Sequence, residues 1–257
     1  MIRMRALFCR IIVSVLTISF ASDMDIVYPL RNCNICEELV YSLRSLENLP
    51  HDKIFFVGGF PNNIRRDNIT YIPRAQTSTK WENSTENIKT ACLDSRVSDN
   101  FVLMNDDFFI LKPLQNVEKE LCFNLGTVEE VYRKYHNRGM SQTAYVKGME
   151  ETKQFLKDLG ISEPICFELH IPMIFNKQKF LDIFKLPNID KISVLHWRTV
   201  YGNLYQKSSV QREDVKVLIK DVFTESKDKF LSSGDATWGK VKPFLKSLFP
   251  NKSVHEF

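Results

Sequence analysis

The hydrophobic and polar positions of the chain alternate between short apolar runs and stretches with helical spacing. Apolar runs of strand length occupy positions 25–30, 54–57, 69–72 and 101–104. Between them, apolar residues three or four apart predict one helix carrying Leu39, Leu43 and Leu46 and another carrying Ile88 and Ala91. This order of strand, helix, strand, strand, helix and strand favours an α/β domain with a mostly parallel sheet flanked by helices.

After Pro113 the pattern becomes mainly helical. Helices are predicted at 128–135, at 144–159 and near the C-terminus, with a short strand at 118–123. Asn34 (with Glu37 as its capping-box partner), Asn176 and Asp235 are expected to cap helices. We therefore predict one α/β domain over 24–210, with helical additions in its C-terminal half. A helical extension over 211–257 is expected to pack on it.

Composition places the chain among ordinary globular proteins. Its 257 residues suffice for one large or two small domains, and 44% of them are hydrophobic and 26% charged. The formal net charge is +4, and the first 23 residues supply three arginines against one aspartate. The remainder therefore carries only +2, which argues against nucleic acid as the main partner.

The first 23 residues have the layout of a secretory signal peptide. Arg3, Arg5 and Arg10 precede an apolar run over 11–20, and small residues follow it. The run is too short for a transmembrane helix, and no other membrane span is expected. Alternatively, Met24 is the true start and 1–23 is a mis-assigned upstream extension. The first alternative predicts the secretory pathway or export, and the second a cytoplasmic protein.

Two adjacent carboxylates follow the fourth apolar run, in Asn105-Asp106-Asp107, and a second apolar run resumes at Phe108. Acids between buried segments are costly to desolvate unless a partner compensates them. Mg²⁺ or Mn²⁺ carrying a diphosphate is a suitable partner, because both ions prefer hard oxygen ligands. The end of a strand in an open α/β sheet faces the ligand crevice. The alternative is a polar turn in which Asp106 and Asp107 are solvated.

His170 lies in an apolar segment and is a candidate general base. Glu168 would share its face on a strand, either as an acid–base partner or as an orienting hydrogen-bond acceptor. The alternative is a histidine buried in the core. Arg198 follows another apolar run and could bind a phosphate with two hydrogen bonds, or instead form a structural ion pair.

Three further polar residues directly follow predicted strands. Arg31 and Asn32 follow the first strand and Arg74 follows the third, so they could also face the crevice. A diphosphate held by a metal ion and arginines, with a histidine nearby, suits transfer from a nucleotide-sugar donor.

Five cysteines lie beyond position 23, an odd number without regular spacing, which is a poor disulfide framework. Cys33 and Cys36 form a Cys-x-x-Cys, but no second pair completes a zinc site. We interpret both as structural or incidental, and a cysteine-based redox protein remains a third alternative.

Several of these segments resemble the Stealth family, the hexose-1-phosphate transferases of capsule synthesis that are related to GlcNAc-1-phosphotransferase. The similar segments are Arg31-Asn-Cys-Asn34, Glu38-Leu-Val-Tyr-Ser-Leu-Arg-Ser-Leu-Glu47, Asn105-Asp106-Asp107 with Lys112-Pro113, and His170-Ile-Pro172 with Lys177. The resemblance covers roughly 25–205. It departs from the family pattern at Cys33 and in a shortened first block at 25–29.

The resemblance implies a domain over 24–210 that uses a nucleotide-sugar donor and a glycan or polysaccharide acceptor. Asp107, with Asp106, would serve the metal or the catalysis, His170 would be the catalytic histidine, and Arg198 would hold phosphate. The acid motif is equally similar to that of GT-A-type glycosyltransferases, which leaves open whether a glycosidic or a phosphodiester bond is made. The alternative from another class is a non-catalytic carbohydrate- or partner-binding module that keeps a GT-A-like fold.

Overall fold

A five-stranded sheet forms the centre of the computed structural model, which describes residues 24–206 and 208–257. The predicted leader lies outside these residues. Two short strands, β5 (Phe108–Ile110) and β6 (Phe123–Asn124), belong to separate two-stranded sheets. The strands of the central sheet are β1 (Met24–Leu30), β2 (His51–Gly58), β3 (Ile69–Pro73), β4 (Asn100–Leu103) and β7 (Met173–Asn176). Their order is β3-β2-β1-β4-β7, with only β7 antiparallel to its neighbour. The predicted α/β fold is confirmed and is Rossmann-like.

Eight α-helices in the described residues flank or extend this sheet. They are α1 (Glu37–Ser45), α2 (Lys80–Leu93), α3 (Val117–Glu120), α4 (Val128–Asn137), α5 (Ala144–Asp158), α6 (Lys177–Ile183), α7 (Trp197–Tyr205) and α8 (Trp238–Leu248). Strands β8 (Val210–Gln211) and β9 (Phe230–Ser232) pair with β6 and β5, respectively. No helix among the described residues is long and apolar enough to cross a membrane.

The inner parts of the central strands are apolar because helices cover both faces of the sheet, whereas β2 begins with the exposed Asp52 and Lys53. Along β1, Ile26 and Tyr28 pack in one core cluster with Leu39 and Leu43 of α1. The intervening Val27 packs in a second cluster, with residues of α2, α6 and α7. Alternate residues of a strand point to opposite faces, so β1 joins the two halves of the core.

Two of the three predicted helix caps are wrong, and one is confirmed. Asn176 caps α6 by accepting from the backbone N–H of Lys179 at 3.2 Å. The residue before α1 is Cys36, not Asn34, and its N–H is satisfied by the Asn63 side chain at 3.0 Å. The residue before α8 is Thr237, because the Asp235 carboxylate pairs instead with Arg31, the residue that follows β1. Tertiary partners replaced the local cap in both cases.

The predicted strand at 118–123 is also wrong over most of its length. Val117–Glu120 forms α3, and only Phe123 and Asn124 are extended. Asn116 caps this short helix by accepting from the Lys119 N–H at 3.0 Å. The helical turn is therefore fixed by a cap that the apolar pattern does not reveal.

The C-terminal segment 211–257 contains α8, as expected of a helical extension, and also the strand β9. Because β9 pairs with β5, which begins directly after Asp107, this segment lies beside the acid pair. Its end is fixed to α1, since the Arg44 guanidinium binds the Glu256 carboxylate at 2.8 and 2.6 Å and the Phe249 carbonyl at 2.7 Å.

We expect Arg44→Met to lower the free energy of unfolding by about 3 kcal/mol, because it leaves the Glu256 carboxylate buried without its partner. Urea unfolding measures this change. Arg65→Met is the matched control, because its ion pair with Asp67 is exposed and worth less than about 1 kcal/mol. Equal losses in the two variants would contradict a structural role for the Arg44 ion pair.

Candidate functional site

A cleft of about 450 Å³ opens at the carboxyl ends of β1 and β4. These strands are neighbours, and the helices that follow β1 and precede β4 lie on opposite faces of the sheet. Such a switch point is where open α/β sheets bind ligands. The charged and imidazole side chains lining the cleft are Arg31, Glu38, Lys80, Asp106, Asp107, Glu168, His170, His196, Lys216 and Asp235.

The acid pair forms a turn between β4 and β5, and both side chains line the cleft. The backbone N–H of Phe108 closes the turn on the Asn105 carbonyl at 3.2 Å, and Asn105 lines the cleft as well. Burial, together with the charge of Asp107, raises the pKa of Asp106 above its usual value. The Cys36 thiol lies 3.5 Å from an oxygen of Asp106. The turn expected from the alternative interpretation is present, but its acids are largely desolvated.

Asp107 faces the C-terminal segment rather than α1. Its Oδ2 atom lies 3.5 Å from the Lys216 ammonium nitrogen and 3.4 Å from the Ser232 hydroxyl oxygen. Ser232 ends β9, so the β5–β9 pairing places its hydroxyl beside the acid, and a bridge between Lys216 and Ser232 places the lysine there. Neither was predicted from the sequence, because both lie more than a hundred residues away along the chain.

Glu38 is a carboxylate of the cleft that was not predicted as a site residue from the sequence. It is 7% exposed and accepts a hydrogen bond from the Ser233 hydroxyl at 2.6 Å. Burial raises the pKa of Glu38 to about 6, with contributions from the charges of Asp106 and Asp107. The sequence did contain a signal for Glu38. It lies four residues before the buried Ser42, so both fall on the apolar face of α1.

We expect Glu38→Gln to raise the free energy of unfolding by about 2 kcal/mol at pH 8. Glu38 has its pKa raised from 4.5 to about 6, so its contribution to stability is present below pH 4.5 and is lost as the pH rises through 6. The gain should therefore vanish in acid. Denaturant unfolding of both proteins at pH 4 and pH 8 measures it. Glu37→Gln, at an exposed site paired with Lys242, is the control and should show no such gain.

His170 lines the cleft and is oriented by Asp214. The Nδ1 atom of the imidazole lies 2.7 Å from one oxygen of Asp214, and the backbone N–H of His170 donates to the other at 3.0 Å. Partial desolvation alone would raise the pKa of Asp214, but the hydrogen bond and charge of His170 hold it below its usual value. No sequence signal links residues 44 positions apart, so Asp214 was not predicted.

Glu168 does not orient His170, contrary to one of the two expectations for this pair. The segment between them is not a strand. Glu168 instead accepts from the backbone N–H and the hydroxyl of Thr199, each at 3.0 Å, at the start of α7. Both side chains nevertheless line the same cleft.

Arg198 lies behind the cleft and is not one of its lining residues. Its guanidinium is buried, donates to the carbonyls of Leu169 and, at 2.8 Å, Ile171, and packs over the Phe108 ring. Burial lowers the pKa of Arg198. Among the described residues Arg198 forms no ion pair, and its guanidinium does not line the cleft in which a donor phosphate would lie. It holds the backbone on both sides of His170.

Of the remaining predicted residues, Arg31 and Asn32 line recesses at this end of the sheet and Arg74 does not. Arg31 lines the cleft and pairs with the exposed Asp235 at 3.0 Å. Asn32 lines an adjoining recess of about 340 Å³, which shares Arg31 and Lys80 with the cleft. Arg74 lines neither space, and its guanidinium lies 3.4 Å from the Asn87 side-chain oxygen. We therefore place Arg31, Asn32 and Asn105 at the site, and Arg74 outside it.

The cysteines supply no reactive group at the cleft. All five cysteines in the described residues are free. Burial and the charge of Asp106 raise the pKa of Cys36, so its thiolate, the nucleophilic form, is disfavoured. The Cys33-x-x-Cys36 segment is best explained by packing against the start of α1.

Charge balance in the cleft fits a divalent cation. Five carboxylates and three cationic side chains line it, so its formal charge is −2 with neutral histidines. A diphosphate would be repelled unless a cation came with it. Within 24–206 and 208–257, no group of three or more His, Cys, Asp or Glu side chains is placed to hold a metal. The cleft carboxylates that could supply two ligands to such an ion are Asp106 and Asp107, with donor oxygens and water as the others.

Comparison with known proteins gives no family assignment: no family model matches the chain, and no curated protein is significantly similar to it.

Proposed function

We propose that this protein is a metal-dependent transferase that uses a nucleotide-sugar donor and passes a sugar or a sugar-1-phosphate to a glycan or polysaccharide acceptor. The observation that carries the proposal is the convergence of the Asn105-Asp106-Asp107 turn and the Asp214-oriented His170 on one cleft. The cleft lies where an α/β sheet binds its ligands. The resemblance to the Stealth family and to GT-A-type glycosyltransferases supports the same class.

Asp106 and Asp107 would hold Mg²⁺ or Mn²⁺, which both prefer carboxylate oxygens. When bound, the ion would offset the negative charge of the donor diphosphate and of the leaving nucleotide. Arg31 stands on the cleft wall with an exposed side chain and can add a second positive charge to the phosphates.

His170 would act as the general base for the acceptor hydroxyl. With Nδ1–H donated to Asp214, the other ring nitrogen, Nε2, is left unprotonated and can accept a proton. Asp214 then favours the charged imidazolium that forms. Arg198 fixes the carbonyls of Leu169 and Ile171, and so restricts movement of the imidazole between them.

If the acid turn and the histidine segment lay apart in the structure, a non-catalytic carbohydrate- or partner-binding module would be favoured. Here Asp107 and His170 line the same cleft, so no specific observation favours that alternative. The charge of +2 beyond the leader supports no nucleic-acid role.

The test is to incubate the purified protein with a panel of nucleotide sugars and Mn²⁺, with a parallel EDTA arm, and to identify the nucleotide released. Release of UMP or CMP indicates transfer of a sugar phosphate, and release of UDP or GDP indicates transfer of the sugar. Equal product with Mn²⁺ and with EDTA would refute the metal role. Binding of sugars without any nucleotide release would favour the non-catalytic module.

A further inference from the structure

Lys216 is the basic side chain in direct contact with the acid pair. Its ammonium nitrogen lies 3.5 Å from Oδ2 of Asp107, and both side chains are mostly buried, at 29% and 17% exposure. The proposed function assigns Lys216 no role. Its ammonium neutralises the same carboxylate that would bind the metal ion, so the two cations compete for Asp107.

The backbone of Lys216 is fixed while its tip has room to move. The neighbouring Val217 N–H donates to the Ser232 carbonyl at 2.9 Å, which anchors this stretch to β9. Gly234 lies beside the tip of the lysine, and a Cβ atom there would come within 3.3 Å of its Cε and 3.6 Å of its Nζ. The absence of a side chain at Gly234 leaves space over which the flexible ammonium group can swing into the cleft.

We propose that the Lys216 ammonium pairs with Asp107 in place of the divalent ion, leaves Asp107 when that ion binds, and then binds the donor diphosphate. In the free protein the Lys216 ammonium is paired with the Asp107 carboxylate. When a divalent ion binds that carboxylate, the ammonium is released. The diphosphate is then the nearest other anion that the ammonium can bind in the cleft. The inference rests on the proposed function and adds a donor-binding residue to it.

The test compares Lys216→Met and Lys216→Arg with the unmodified protein by isothermal titration calorimetry, first with Mn²⁺ alone and then with the Mn²⁺–pyrophosphate complex. We expect Lys216→Met to bind Mn²⁺ about tenfold more tightly, because the competing charge is gone. It should bind the complex about tenfold more weakly, because a charge-assisted contact to the diphosphate is lost. Lys216→Arg keeps the charge and should stay within about threefold of the unmodified protein in both titrations.

Lys229→Met is the matched control, because Lys229 also pairs with a carboxylate, that of Glu120, but does not line the cleft. It should leave both affinities unchanged. An unaltered Mn²⁺ affinity in Lys216→Met would overturn the exchange, and an unaltered affinity for the complex would overturn the diphosphate contact. If none of the proteins binds Mn²⁺, the metal site of the proposed function fails, which is a different result from Mn²⁺ binding that is insensitive to Lys216.

Discussion

Asp107→Asn is expected to lower kcat by about 1,000-fold while the protein stays folded, since a metal site supplies several kcal/mol of charge stabilisation. Asparagine keeps the shape of the side chain and can still accept from the Ser232 hydroxyl, but it loses the charge that would bind the cation. It also removes the neighbouring charge that raises the pKa of Asp106, which offsets the loss of the ion pair with Lys216. Turnover with a productive nucleotide sugar and a thermal unfolding curve measure the two effects.

The control for this variant is Asp182→Asn, which removes a surface carboxylate whose partners among the described residues are Gln178 in α6 and Lys185 just after it. It should leave turnover unchanged. Near-normal turnover of Asp107→Asn would rule out the metal role of the acid pair. Loss of Mn²⁺ affinity in Asp107→Asn but not in Asp182→Asn would tie the defect to the ion.

His170→Ala is expected to lower kcat by about 1,000-fold, within the range typical of general-base catalysis, with less than about a threefold change in donor binding. The imidazole is assigned to the acceptor hydroxyl, whereas the donor diphosphate is assigned to the acids and Arg31. Steady-state kinetics with a saturating acceptor, together with calorimetric donor binding, separate the two quantities. Unchanged turnover would refute a catalytic role for His170.

Asp214→Asn is the companion variant that separates chemistry from packing. It keeps the backbone hydrogen bond to His170 within reach but removes the charge beside Nδ1, so we expect a loss in kcat of about 10- to 100-fold. A loss equal to that of the Asp214→Ala variant, with lowered thermal stability in both, would indicate that Asp214 merely supports the loop.

Much of the fold could be predicted because it depends on local patterns. The apolar runs at 25–30, 54–57, 69–72 and 101–104 correspond to β1 to β4, and the helices predicted at 128–135, at 144–159 and near the C-terminus correspond to α4, α5 and α8. The wrong helix-cap predictions concern positions where a partner distant in the chain replaced the local hydrogen bond. Asp235 could have capped α8, yet it pairs with Arg31, some 200 residues earlier in the chain.

The candidate site was predicted only in part, and the reason is again distance along the chain. Asp106, Asp107 and His170 were recognisable because polar residues within apolar runs are costly without a partner. The partners themselves carry no such signal. Asp214 and Lys216 lie in a polar stretch of ordinary composition. The bridge between Lys216 and Ser232, together with the β5–β9 pairing, brings Lys216 to the acids.

The sequence by itself determined the α/β class and the positions of the acid pair and the histidine, because strand and helix periodicity and the cost of buried charge are local properties of a chain. Tertiary structure alone decided that Arg198 lies behind the cleft, that Asp214 orients His170 and that Lys216 faces Asp107. Those relations depend on which strands pair and which helix covers which face. Such choices minimise the free energy of the whole core and are not encoded in any single segment.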